Sequence, residues 1–181
     1  MPRAKKKVMN RRSSAKTNSE KVRWKYFWTV LRISIGFIFL WPFLDKLFGF
    51  GISTTAANSW INGGSPTAGF LLHSTTGPFA SIFQSMASSH LVEWLFMLGL
   101  FFVGITMILG IGLRISAIAG SIMMALMWLS ELPIATNPFL DYHWFYAYAL
   151  IASALTKAGN YFGLGKWWSK LKFVKKCPIL E

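Results

Sequence analysis

A chain of 181 residues is one domain by length, yet it is 54% hydrophobic and 17% aromatic, with 16 phenylalanines, more than a soluble core of this size needs. Lipid is the solvent this composition implies. The net charge of +13 argues against a nucleic-acid groove by its placement: ten of 19 basic residues lie from Arg3 to Lys25 and six from Lys157 to Lys176, with only Arg32, Lys46 and Arg114 between. Basic flanks of this kind orient hydrophobic spans and touch anionic lipid.

Residues 1–23 combine low hydrophobicity with like charge, which predicts a disordered basic tail. The apolar run after it is too long for a signal-peptide core and lacks a small-residue cleavage pattern, so it reads as a retained first span, residues 24–44. Pro42, near its far end, removes a backbone donor. Residues 49–90 carry no Lys, Arg, Asp or Glu, and are neither apolar enough to span nor polar enough to be a free linker. They predict an interfacial helical segment on the outer face, with Ser65-Pro66 as a helix start and Gly77-Pro78 as a break.

The second span, 91–109, and the third, 115–132, are joined by a link so short that the helices must be antiparallel neighbours. Ala117, Ser121 and Ala125 give the third span a small-residue packing face. A short outer loop precedes the fourth span, 142–156, which needs its flanking aromatics to complete the crossing. The membrane domain then covers 24–168, and 169–181 is a second basic tail.

The expected fold is all-α: an integral membrane four-helix bundle with both termini cytoplasmic, as the positive-inside rule requires of Arg114 and both tails. The localisation that follows is the cell membrane, multi-pass. The tetrapeptide Leu31-Arg32-Ile33-Ser34 recurs as Leu113-Arg114-Ile115-Ser116, which fits a duplicated helical hairpin, although apolar spans draw on few residue types and chance is the favoured explanation. Cys177 is the lone cysteine, which excludes a disulfide framework or a Cys-x-x-Cys pair and leaves an inert thiol, a lipid acceptor or a link to another subunit.

Apart from Glu20 and Glu181, every acid falls at the outer end of a span, each with a tryptophan within one helical turn: Asp45 with Trp41, Glu93 with Trp94, Glu131 with Trp128 and Asp141 with Trp144. Lys46 and His143 share this layer, and His73 and His90 sit in or beside the segment that covers it. An aromatic belt with ordinary polar ends is one reading. The other is a polar pocket walled by the four tryptophans, where carboxylates, Lys46 and His143 handle protons beside a planar, lipid-soluble molecule such as a quinone. Arg32, a third of the way into the first span, either snorkels to the inner boundary, the first expectation, or pairs with a polar group inside the bundle. No metal-ligand set of usual spacing, phosphate loop or nucleophile triad occurs, and catalytic residues stay unassigned.

The runs RISIGFIFLWPFLDKLFGFG from Arg32, WINGGSPTAGFL from Trp60, LGIGLRISAIAG from Leu109 and NPFLDYHWFYA from Asn137 resemble the DoxX family of small four-span membrane proteins, over most of residues 30–168. The resemblance implies a four-helix bundle and, by analogy, a link to quinone or sulfur redox metabolism of the thiosulfate:quinone oxidoreductase kind. It carries over no catalytic residues. With no electron carrier evident in the sequence, such a subunit works with a redox partner protein, and a homo-oligomer is open. Two further readings stand beside it: a non-catalytic scaffold or assembly factor whose basic tails recruit cytoplasmic or lipid partners, and a small-solute transporter, which four helices alone serve poorly.

Overall fold

The computed structural model describes residues 2–134, 137 and 139–180, with side-chain burial given for Glu20 and from Val22 onward. Ala135, Thr136 and Pro138 of the predicted outer loop lie outside the described residues, as do Met1 and Glu181. Eight α-helices and several short 3-10 turns make up the described chain, which contains no strand.

The first helix, α1, runs from Pro2 to Phe48 without interruption. Its backbone is therefore helical over 2–23, where like charge predicted disorder. Proline suits the first helical position, and Ala, Lys, Arg and Met, all good helix formers, fill much of the segment. The apolar part that follows supplies the nucleus that a short isolated helix lacks. At the far end α1 continues past Pro42 to Phe48.

The segment that follows α1 contains α2 (Ala68–His73) and α3 (Ala80–Ser85). Helix α2 starts two residues later than Ser65-Pro66 predicted, with Thr67 as its N-cap, although the Ser65 hydroxyl accepts a hydrogen bond from the Ala68 amide at 3.0 Å across the turn before it. Two long helices follow, α4 (His90–Leu109) and α5 (Leu113–Ser130), then the shorter α6 (Tyr142–Leu155). The tail carries α7 (Gly165–Trp168) and α8 (Lys172–Lys176). The stretch Val22–Phe48, α4 and α5 are each long and apolar enough to cross a membrane. At 1.5 Å per residue α6 spans only ~21 Å, less than the ~30 Å hydrocarbon layer.

Packing runs α1 on α4, α4 on α5, α5 on α6, and α6 back on α1. Side-chain partners show each sequential pair to be antiparallel. Phe43 meets Phe101 at 5.0 Å while Arg32 reaches the Met107 carbonyl. Thr106 bonds Ser116, and Trp128 meets Trp144 at 5.4 Å. Glycine sets the closest approach of α1 and α4: a Cβ on Gly36 would lie 2.9 Å from the Gly104 carbonyl oxygen, and one on Gly104 2.8 Å from Leu40. The α5 face toward the core is Leu113, Ala117, Gly120 and Met124; Ser121 and Ala125, predicted to share it, are half-buried.

Phe39, Met97, Val103, Met107 and Leu150 are almost wholly buried at the centre. Outward, each helix presents another apolar face: Val30, Ile33 and Phe37 on α1; Leu91, Leu95, Leu98 and Phe102 on α4; Ile115, Ile118, Ile122 and Leu126 on α5; and Phe145, Tyr148, Ile151 and Leu155 on α6. Only 28–33% of the spanning windows is buried by the chain itself. Contiguous apolar surface on this scale does not belong in water. The chain is a membrane protein with several spanning helices.

Candidate functional site

Antiparallel packing carries Asp45, Glu93, Glu131 and Asp141 to one end of the bundle and Arg32, Arg114 and Lys157 to the other. At the acid-bearing end the predicted groups are largely withdrawn from solvent: Asp45 is 1% exposed, Glu93 7%, Asp141 8% and His143 1%. Lys46 and Glu131 are half-buried.

These groups form three separate polar contacts. Asp45 holds the loop that follows α1, its Oδ2 accepting from the Ser53 hydroxyl at 2.5 Å and the Ser53 amide at 3.0 Å. Glu93, in the first turn of α4, where the helix dipole favours an acid, meets His90 Nδ1 at 3.0 Å. The third lies at the start of α6, facing the end of α5. Asp141 is the N-cap of α6, accepting the His143 amide at 3.1 Å through Oδ1, while its Oδ2 lies 2.6 Å from His143 Nδ1. Glu131, the C-cap of α5, brings a carboxylate oxygen within 4.8 Å of ligand atoms of both Asp141 and His143.

The four tryptophans divide in the same way. Trp41 stacks on Phe50 and Trp94 packs edge-on against Trp60, and both are exposed on the outside of the bundle. Trp128 and Trp144 instead meet edge to face, 5.4 Å apart, on the stretches of α5 and α6 that also carry Glu131 and His143. The indole Nε1 of each is buried without a hydrogen-bond partner, as is His143 Nε2. The segment between α1 and α4 reaches the end of α5: the Thr76 amide donates to the Ser130 carbonyl at 3.0 Å and the Thr76 hydroxyl to Glu131 O at 3.1 Å. Gly77 is required there, because its φ is +69° and a Cβ would lie 2.0 Å from the Leu132 carbonyl oxygen. Ser53 and Thr76 carry no charge or motif that marks them in the sequence; Asp141, directly ahead of a helical pattern, is legible as an N-cap.

At the basic end Arg32 does not snorkel. It is 0% exposed, and its Nη1 donates to the carbonyls of Met107 and of Ile108, the latter at 2.6 Å. Its Nη2 reaches Phe162 O at 3.4 Å. The remaining terminal carbonyls of α4 are also closed: Thr106 O accepts from the amides of Gly110 and Ile111, and Leu109 O from Leu164. A buried cation at a helix C-terminus, where carbonyls lack intrahelical partners, is favoured by both hydrogen bonding and the dipole. Arg114, its counterpart in the repeated tetrapeptide, is exposed and donates to Pro178 O at 2.9 Å, so the two arginines are not equivalent. A cleft of about 30 Å³, lined in part by Gly110, Arg114, Lys157, Asn160 and Trp168, opens at this end, with room for one or two waters. Cys177 is a free, exposed thiol in the folded tail.

The chemistry available at the acid-bearing end is therefore concentrated between α5 and α6: a buried Asp–His pair, a nearby carboxylate, and two aromatic walls with unused N–H donors. Comparison of the chain with family models, with curated proteins and with solved structures finds no match.

Proposed function

We propose that this chain is a DoxX-type subunit crossing the cell membrane four times, termini cytoplasmic, and that its outer layer binds a quinone-class molecule for a separate redox protein. The outward apolar face of α6 supports the fourth crossing, with Phe139 and Leu140 ahead of it and Tyr161 and Trp167 after it extending a helix that is short alone.

The observation that carries the ligand class is the pair of buried, partnerless indole N–H groups on Trp128 and Trp144. A buried donor left unpaired costs ~1–3 kcal/mol. A planar ligand with carbonyl acceptors recovers that cost and stacks on the rings, and a quinone meets both conditions and arrives through lipid. The partner protein supplies two electrons and water at the boundary two protons, giving the quinol. Protein extracted gently with its native lipids should carry quinone, and Trp128→Phe or Trp144→Phe should lower that content. Quinone-free protein, or content unchanged in both variants, sinks this reading.

A scaffold is the second reading, favoured by the continuation of α1 as a basic helix from Pro2. Deleting residues 2–23 should abolish partner recruitment under that reading and leave quinone content intact under the first.

A further inference from the structure

Glu131, Asp141 and His143 come from opposite ends of the α5–α6 connection, yet present one ligand atom each within 4.8 Å of one another. Among the described residues the ion-pair partner of Asp141 is His143, on the first turn of the same helix. Asp141 is 8% exposed and Glu131 half-buried, and the groups that face these two poorly solvated carboxylates are the His143 imidazole, 2.6 Å from Asp141, and the Tyr142 hydroxyl, which donates to Glu131. His143 is 1% exposed, with Nδ1 2.6 Å from Asp141 Oδ2 and Nε2 without a hydrogen-bond partner.

We infer that this corner is a binding site for a divalent first-row transition ion, held by the carboxylates of Glu131 and Asp141 and the imidazole of His143. Two carboxylates and a neutral imidazole neutralise one divalent charge. The nitrogen donor selects against Mg²⁺ and Ca²⁺, which take oxygen ligands, and suits Zn²⁺ with a fourth position open. Ligands ~2.0–2.2 Å from zinc stand about 3–3.5 Å apart, so closure asks for shifts of about 1 Å in side chains. Bound there, the ion would tie the end of α5 to the start of α6 and clamp the connection between them. This goes beyond the quinone reading and does not rest on it.

The probe is Zn²⁺ added to full-length, tag-free protein in detergent after chelation and removal of quinone, followed by calorimetry and metal analysis. One zinc per chain is expected, unaffected by equimolar Mg²⁺ and by replacing the histidines outside the corner in a His73→Ala, His90→Ala double variant. Affinity should fall about tenfold or more in Glu131→Gln and in His143→Gln. If His143→Gln fails to fold, the half-buried Glu131→Gln decides alone. No stoichiometric zinc on the native chain, zinc retained at full affinity by Glu131→Gln, or zinc lost with His73 and His90 each overturns the inference. Quinone content of chelated protein is measured separately, so either reading fails without the other.

Discussion

The two ends of the bundle use buried polar groups differently, although Arg32 Nε at the basic end is, like the indoles opposite, buried without a partner. At the basic end Arg32 and the Leu164 amide close carbonyls that α4 leaves open, and three parts of the chain become one joint. At the acid-bearing end the Trp128 and Trp144 indoles and His143 Nε2 stay buried without partners. A joint that satisfies its backbone is built for stability. A corner where two indole N–H groups and one imidazole nitrogen stay unpaired has groups to offer a ligand, because such groups cost free energy until they are paired.

Four substitutions sharpen this contrast. Arg32→Met should be the most damaging, leaving the Met107 and Ile108 carbonyls unpaired at a cost of ~3 kcal/mol or more, read as a lowered thermal midpoint in detergent. Gly159→Ala should cost about 1–3 kcal/mol, because its new Cβ would stand 2.1 Å from the Gly110 carbonyl oxygen. Asp45→Asn should lose about 1 kcal/mol, coupled in a double-mutant cycle to Ser53→Ala and to no group between α5 and α6. Trp128→Phe should cost least, about 1 kcal/mol from lost ring volume, while weakening quinone binding about tenfold. If Trp128→Phe proves as destabilising as Arg32→Met, both ends are structural joints and the contrast fails.

Much of this architecture was legible in the sequence. The spans expected at 91–109 and 115–132 are the helices His90–Leu109 and Leu113–Ser130, because long apolar runs between basic flanks have few alternatives. The gathering of acids at one end followed from the same alternation. Side-chain pairing was not legible. Asp45 and Glu131 carry similar local signals, each an acid three or four residues after a tryptophan, yet one anchors its own loop and the other faces a neighbouring helix. That difference arises from the turn after α1, which returns Ser53 to Asp45, and from the packing of α5 on α6. Arg32 misled for a related reason: snorkelling is the economical choice for an isolated helix, and only the approach of α4 through Gly36 and Gly104 puts carbonyls within its reach.

The most direct test of the open corner is a fluorescence titration of the purified, quinone-free protein with a short-chain quinone. Saturable tryptophan quenching is predicted, weakened about tenfold in Trp128→Phe and Trp144→Phe and unchanged in Trp94→Phe, whose ring lies outside against Trp60. Quenching that never saturates, or that is lost with Trp94 and kept without Trp128 and Trp144, would contradict the account.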